Sequence, residues 1–220
     1  EYVNNFEVGM KSDLLDRRMR LNVTAFRMDY EDIQVSASSN QVTTASTKAN
    51  LGEATIQGLE IEMMALISDK LTLGANIGYL DDEIDSLKGT LISNTVVIGT
   101  GNDLANTPDW TLSLMAKYEI ELSSGATLSL RADYAAKDDF YYRPENLVET
   151  KNDDYQNLNL NGTYVTADGS WEATLGVRNA TDEEYYQSAT PFSSNGLVFG
   201  QPVRPRTAYF SLQYNFFGSQ

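Results

Sequence analysis

The fold is decided by a stretch near the end of the chain, residues 206–216, which reads RTAYFSLQYNF. Apolar or aromatic side chains occupy every second position from Ala208 to Phe216, and polar side chains such as Ser211 and Gln213 lie between them. Successive side chains of a β-strand point to opposite faces. The stretch therefore predicts an eleven-residue strand with one apolar face and one polar face.

The same pattern recurs upstream, so that nine long strands and no helix are predicted. The earlier strands lie near residues 2–14, 19–30, 55–67, 71–79, 110–122, 127–134, 157–164 and 171–178. Short turns at residues 15–17, 68–70, 123–125 and 167–169 alternate with long loops at residues 31–54, 81–109, 137–154 and 180–205. We also expect a small extra hairpin near residues 95–98.

The alternation changes phase inside the second strand. Odd positions are apolar up to Ala25, but the aromatic and apolar residues that follow, Phe26, Met28 and Tyr30, stand at even positions. A slip of one residue moves side chains to the other face of a sheet. The pattern predicts either a β-bulge here or aromatic side chains that turn into the interior.

Composition excludes several kinds of function. The 220 residues include no Cys and no His, which excludes disulfides, Ser–His and Cys–His nucleophiles and His-bound zinc. A net charge of −15 argues against nucleic-acid binding. The longest apolar block near a strand is residues 63–67, whereas a membrane helix needs about 20 residues. We expect no enzyme activity, no cofactor and no metal site.

Three features favour a membrane β-barrel over a soluble β-sandwich. The strands are long, whereas soluble strands usually have about 5 to 6 residues and membrane strands about 9 to 11. Short and long connections alternate, as they do between the periplasmic and outer sides of outer-membrane barrels. Aromatic residues gather near strand ends, where interfacial girdles form: Tyr2, Tyr30, Tyr79, Trp110, Tyr118, Tyr134, Tyr164, Trp171, Tyr214 and Phe216.

In a barrel of this kind the polar face lines the lumen. No charge occupies the central positions of the apolar faces, where an Arg or Lys costs about 2–4 kcal/mol at the bilayer midplane. The polar faces carry the charges that we expect in the lumen or against a plug: Glu7, Lys11, Glu60, Glu62, Lys117, Arg131 and Arg178.

Six short stretches, taken in this order, resemble one family. They are NFEVGMKSDLLD at residues 5–16, DYEDIQ at 29–34, QGLEIE at 57–62, NTPDW at 106–110, VRNATDEEYY at 177–186 and RPRT at 204–207. Together they resemble the C-terminal part of TonB-dependent receptors, the plugged outer-membrane transporters of Gram-negative bacteria. The final Tyr214 and Phe216 resemble the signal that is read by the barrel assembly machinery.

The resemblance implies an all-β fold, a segment of a transmembrane antiparallel up-and-down β-barrel. Residues 1–220 would supply the last nine of 22 strands, with a plug domain and the N-terminal strands upstream. Because the chain opens with Glu1 and no signal peptide, we expect it to begin inside a longer protein. The implied function is receptor-mediated, TonB-dependent uptake of a scarce solute, most often a ferric siderophore. The implied partners are outer-membrane lipid and lipopolysaccharide, the TonB complex, the barrel assembly machinery and a ferric chelate.

Two groups of loop residues are candidates for ligand contact. Phe140, Tyr141, Tyr142 and Arg143 combine aromatic rings with a guanidinium, which suits an anionic aromatic iron chelate or a sugar. Tyr185 and Tyr186 offer further rings. All six residues could instead anchor the outer rim in lipopolysaccharide.

Two sets of carboxylates allow other interpretations. Glu60 and Glu62 share a face, but acid–base chemistry needs one of them buried with a raised pKa, and wetted lumen charges explain both. The run Asp81, Asp82, Glu83 and Asp85 could bind Ca²⁺, but it lacks the ordered spacing of an EF-hand and suits a solvated loop.

Two other functions remain open from the sequence. A passive outer-membrane channel without a plug explains the same strands. A soluble β-sandwich adhesin or sugar-binding module explains the alternation too, because its strands also have one apolar face each. It predicts solubility without detergent and no heat-dependent shift on a denaturing gel.

Overall fold

The computed structural model describes residues 1–37, 47–90, 92–93, 96–192 and 197–216. Within these ranges nine long strands form one antiparallel sheet in chain order, which confirms the predicted strands. Numbered β1 to β9, they are Tyr2–Leu14, Met19–Glu31, Gly52–Leu66, Leu71–Leu87, Trp110–Glu121, Thr127–Lys137, Tyr155–Val165, Trp171–Arg178 and Thr207–Tyr214.

Four long connections join β2 to β3, β4 to β5, β6 to β7 and β8 to β9; they are residues 32–51, 88–109, 138–154 and 179–206. In their described parts, four pairs of short strands occur: Gln34–Ala37 with Thr47–Asn50, Ile92–Ser93 with Val96–Val97, Phe140–Tyr141 with Lys151–Asn152, and Tyr186–Phe192 with Leu197–Pro202. The second pair is the extra hairpin predicted near residues 95–98, although Thr95 lies outside the described residues. One 3₁₀ turn occurs at Val148–Thr150. The described residues form no helix that is long and apolar enough to cross a membrane.

The sheet has two different faces. We call the side of Leu175 the outer face and the side of Glu60 the inner face. On the outer face, the apolar side chains stand side by side across neighbouring strands, as in the pair of Leu175 with Phe210. These side chains remain exposed: Leu175 is 64% and Phe210 is 66% accessible. Within the described ranges the other sheets have only two strands each, so the second sheet that a β-sandwich requires is not found there.

Aromatic rings border the outer face at both ends. Tyr79 and Trp110 contact each other at the end near the long connections, with ring centroids 4.8 Å apart. Trp171 and Tyr214 contact each other at the opposite end, at 4.7 Å. Phe216 adds an edge contact with Tyr214 at 4.9 Å. Two aromatic borders around an apolar band are the arrangement that membrane interfaces favour.

The phase change in β2 has a cause other than a bulge. β1 and β2 pair without interruption from Tyr2 opposite Glu31 to Leu14 opposite Met19. Phe26, Met28 and Tyr30 lie on the inner face and pack against a buried apolar cluster. The second of the two predicted explanations is therefore confirmed. The placement of Tyr30 in an aromatic girdle was wrong, because its ring faces inward.

The fourth strand is longer than predicted. β4 continues to Leu87, and its bulge lies where β3 pairs Glu53 and Ala54 with Ser86 and Ile84. The acidic run at residues 81–85 therefore belongs to a strand and not to a loop. Alternation sends Asp81 and Glu83 to one face and Asp82 to the other. Among the described residues no group of three or more acidic side chains is placed to hold a metal ion.

The last strand is shorter than predicted. β9 has eight residues instead of eleven, because its partner β8 offers only Trp171–Arg178 for pairing. Before it, the backbone N–H of Arg206 donates to Asp182 instead of to a strand. β1 and β9 are the two open edges of the sheet.

The turn between β7 and β8 is held by one carboxylate. Asp168 accepts hydrogen bonds from the hydroxyls of Thr166, at 2.6 Å, and Ser170, at 2.8 Å, and from the backbone N–H of Ser170. Gly169 follows with a φ of 67°, which glycine adopts readily. The hydrogen bonds from Thr166 and then Ser170 lower the pKa of Asp168 to about 2.

We expect Asp168→Ala to lower stability at neutral pH but not in strong acid. A depressed pKa stabilises the folded state above the unfolded pKa of 3.8, and that contribution disappears as the pH falls through about 2. Urea midpoints of the two proteins should therefore differ most above pH 4 and converge toward pH 2. Asp69→Ala is the matched control, because Ser68 holds that turn through the N–H groups of Lys70 and Leu71. A difference that persists unchanged at pH 2 contradicts the expectation.

Candidate functional site

A buried apolar cluster supports the inner face at the end near the long connections. Its fully or nearly buried members are Leu51, Ala54, Ile56, Ile84, Ile98 and Leu104. They come from β3, β4 and the first two long connections, and the rings of Phe26 and Tyr30 pack against them. Because burial of apolar surface is the main stabilising term in folding, the described parts of these two connections around Leu51, Ile98 and Leu104 are packed against the sheet.

The first three long connections are joined by hydrogen bonds and an ion pair. Lys88 pairs with Asp32, and its backbone N–H donates to the carbonyl of Leu51. Asn146 accepts from the N–H of Asp103 at 2.6 Å and donates back to the Asp103 carbonyl at 3.1 Å. These contacts join the second connection to both of its neighbours.

Aromatic residues join the third connection to the fourth. The hydroxyl of Tyr142 donates to the carbonyl of Tyr186. Tyr155, at the start of β7, stacks on Tyr185 with ring centroids 3.8 Å apart and planes 11° apart. Burial, followed by the neighbouring Tyr155 and Tyr185, raises the pKa of Tyr142 to about 12. Its phenol therefore keeps its proton near neutral pH and remains a hydrogen-bond donor.

A cavity of about 400 Å³ opens between the first three connections. Most of its lining is apolar or aromatic, and Tyr142 and Arg143 form one side. Two members of the apolar cluster, Ile56 and Leu104, also line the cavity. Cavities of this size, mostly apolar with a few polar groups, are typical small-molecule sites.

The candidate contact residues have different surroundings. Phe140 is buried, with its ring edge on Tyr142 at 4.9 Å and Lys137 Nζ 4.2 Å from its centroid. Tyr141 is half-buried, and its carbonyl accepts from the N–H of Asn106. Arg143 Nε lies 3.5 Å from the buried carboxylate of Glu145. Of the six candidates, only Tyr142 and Arg143 line the cavity.

Tyr185 and Tyr186 take different places in the fourth connection. Tyr185 is half-buried by its stack on Tyr155, whereas Tyr186 is 52% exposed. Tyr186 is tied in through its carbonyl. The structure thus places two aromatic pairs, Phe140 with Tyr142 and Tyr155 with Tyr185, where the third connection contacts the fourth.

The predicted lumen charges lie on the inner face by register. Their cross-strand neighbours are mostly polar, as where Lys11 stands opposite Asn22 and Glu60 opposite Thr24. Several have side-chain contacts: Glu62 accepts from Asn22 at 3.0 Å, Lys117 pairs with Glu119 at 3.1 Å, Arg131 pairs with Asp133 at 2.7 Å, and Arg178 lies over the ring of Tyr209 at 5.0 Å. Glu7 and Glu60 are exposed.

Sequence reasoning missed several residues of this site. Tyr155 lay between a predicted loop and the next predicted strand and was not singled out, although its ring stacks on Tyr185. Asn102 and Asn146 were not singled out, because an Asn in a polar stretch carries no local signal of a distant partner. Asn102 donates to the carbonyl of Pro144 at 2.8 Å, 42 residues along the chain.

We expect Tyr142→Phe to loosen the fourth connection. Loss of one hydrogen bond costs about 1 kcal/mol, so local opening should become about fivefold more frequent. Amide hydrogen exchange within residues 184–192 measures that opening in the folded protein. Tyr141→Phe is the matched control, because the same atom is removed from a hydroxyl that makes no loop-to-loop bond among the described contacts. Equal acceleration in both variants contradicts the role of the Tyr142 hydroxyl.

Comparison with known proteins places these features in a family. Residues 1–180 match the family described as TonB dependent receptor-like, beta-barrel. The probable TonB-dependent siderophore receptor PiuA of Acinetobacter baumannii is 29% identical over 131 residues, 57% of this chain and 17% of PiuA. The metal-pseudopaline receptor CntO of Pseudomonas aeruginosa is 26% identical over 221 residues, 96% of this chain and 27% of CntO.

The fold agrees with a solved receptor. The ferric yersiniabactin uptake receptor FyuA from Yersinia pestis superposes with a TM-score of 0.78 at 18% identity, covering 98% of this chain and 30% of FyuA. The part of this chain that aligns spans 17% of PiuA and 27% of CntO, so the chain covers about a quarter of a relative's length. The family match, the apolar outer face and the two aromatic borders agree with one placement, in the outer membrane. The chain belongs to the TonB dependent receptor-like, beta-barrel family.

Proposed function

We propose that this chain is the outer-membrane barrel portion of a receptor for TonB-dependent uptake of a metal chelate, such as a ferric siderophore. The observation that carries the proposal is the cavity of about 400 Å³, which is lined by residues of the connections and by the inner-face residues Tyr30 and Ile56. The outer face of the same sheet is apolar and exposed. The relatives are named as receptors for siderophores or metal chelates, which supports the same function. The chain is a transport receptor and not an enzyme.

The two open edges support a larger barrel around this sheet. Backbone N–H and C=O groups on a free strand edge have no partner in lipid, so β1 and β9 require neighbouring strands there. We therefore propose that residues 1–220 are the last nine of 22 strands, and that a plug contacts the inner-face charges. Tyr214 and Phe216 act as the assembly signal, and the outer connections contact lipopolysaccharide.

Uptake measurements test the proposal. Cells that carry or lack the gene for the full-length receptor are supplied with radioactive ferric chelates under iron limitation. We expect uptake that requires both the receptor and an intact TonB complex. Uptake that persists without TonB contradicts the proposal and supports the passive channel. The experiment is insensitive to which loop residue binds, because it removes the whole protein.

A further inference from the structure

Most of the net negative charge of this chain lies at one end of the sheet. We call the described parts of the four long connections, together with the strand ends that adjoin them, the outer end: residues 1–6, 27–37, 47–57, 81–90, 92–93, 96–109, 138–154, 179–192 and 197–206. The outer end holds 20 of the 31 acidic residues and seven of the 16 basic residues. Its formal net charge is therefore −13, out of −15 for the chain.

Most of the basic side chains at the outer end are already held by carboxylates. Five of the seven form ion pairs in the described residues: Arg27 with Asp29, Lys88 with Asp32, Arg143 with Glu145, Lys151 with Asp139, and Arg206 with Asp182. An arginine that is paired in this way has less attraction for an anionic ligand, because its charge is compensated locally.

The cavity has the same electrostatic character. Its lining is mainly Tyr30, Ile33, Val35, Ile56, Leu104 and Tyr142. Arg143, at its edge, is paired with Glu145, and the exposed carboxylate of Asp103 stands next to Leu104. The face of a tyrosine ring attracts cations. A cavity lined by apolar and aromatic side chains, with the carboxylate of Asp103 beside it, favours a ligand that combines a positive charge with apolar surface.

We infer that the solute admitted by this part of the receptor carries a net positive charge on an apolar or aromatic body. This inference rests on the proposed function and narrows its substrate class to cationic metal chelates. Clefts with one sign of charge raise the local concentration of oppositely charged solutes and accelerate their capture. A polyanionic chelate meets repulsion at the same entrance.

Three ferric trihydroxamate chelates on one backbone test the inference, with a free amine, an acetylated amine or a carboxylate as the only difference. The association rate with the purified full-length receptor is measured at low and high ionic strength. We expect the amine to associate about tenfold faster than the carboxylate at low salt, and the two rates to converge as salt screens the charges. Equal rates, or a faster carboxylate, overturn the inference and leave the proposed function intact. Uptake of all three chelates that does not depend on the receptor overturns the proposed function itself.

A receptor variant with fewer acidic residues at the outer end tests whether those residues cause the difference between the association rates. Asp103→Asn, Asp153→Asn and Asp154→Asn together remove three exposed charges there. We expect the ratio of the amine rate to the carboxylate rate to fall about threefold. Asp16→Asn with Asp69→Asn, in turns at the opposite end, should leave the ratio unchanged. Because a ratio does not depend on how much receptor is folded, reduced yield of a variant does not affect the result. An unchanged ratio in the triple variant overturns the inference.

Discussion

Leu175→Arg will lower the free energy of unfolding of the membrane-inserted protein by about 2–4 kcal/mol. Leu175 lies on the outer face, 64% exposed, four residues from the border residue Trp171 on the same strand. That position is near the middle of the apolar band, where a guanidinium loses its hydration and finds no partner in hydrocarbon. Urea titration of the full-length receptor in lipid vesicles measures the loss.

The matched control places the same charge on the other face. Ser211 lies on the neighbouring strand β9, opposite Thr174 and on the inner face, and it is exposed. Ser211→Arg should change the free energy of unfolding by much less, because the inner face already carries charges such as Arg131 and Arg178. Similar losses for the two variants contradict the assignment of the outer face to lipid.

The sequence predicted the strands well because their pattern is local. Lipid on one side and polar surroundings on the other impose a two-residue period on every membrane strand. The bounds of Tyr2–Leu14 and Trp171–Arg178 were predicted to the residue. Where the surroundings of each face stay the same along a strand, alternation alone is sufficient to predict the bounds of that strand.

The prediction failed where the surroundings of a strand change. Beyond the aromatic border, the outer face of β4 carries Asp81 and Glu83, while Ile84 on the inner face is buried. Its burial depends on Leu51 and Ile98, which come from other connections. No local pattern contains that information, so residues 81–87 resembled a loop.

The candidate site was predicted in composition but not in arrangement. Aromatic residues at 140–142 and 185–186 were noticed because they stand together in the chain. Their contacts depend on Tyr155 and on the bond between Asn146 and Asp103, which join distant segments. The pairing of Arg143 with Glu145 also became visible only in the structure, and it changes which ligand charge the site favours.

Asn179→Ala will release the fourth long connection from the sheet. The side chain of Asn179 is buried, donates to the carbonyls of Glu183, at 2.9 Å, and Arg204, at 3.2 Å, and accepts from the N–H of Glu183. One side chain thus joins the beginning of the connection to its end. Three hydrogen bonds at roughly 0.5–1.5 kcal/mol each, with added strain for Ala at a φ of 50°, predict a loss of about 3 kcal/mol.

The loss of stability should be local, and it should reach the stack of Tyr185 on Tyr155. Opening of residues 183–205 becomes roughly a hundredfold more frequent, which hydrogen exchange and trypsin cleavage after Arg206 both detect.

Asn179→Gly separates the two causes, because glycine accepts the positive φ but lacks the three hydrogen bonds. We expect Asn179→Gly to recover only the strain, about 1 kcal/mol. Tyr185 follows Asn179 by six residues, and we expect its stack on Tyr155 to depend on this anchor. Under the proposed function, both variants should therefore also slow chelate uptake. Normal protection of residues 183–205 in Asn179→Ala contradicts the anchoring role. The other contacts of this connection, such as Asp182 with Arg206 and the Tyr142 hydroxyl with the Tyr186 carbonyl, must then be sufficient to hold it.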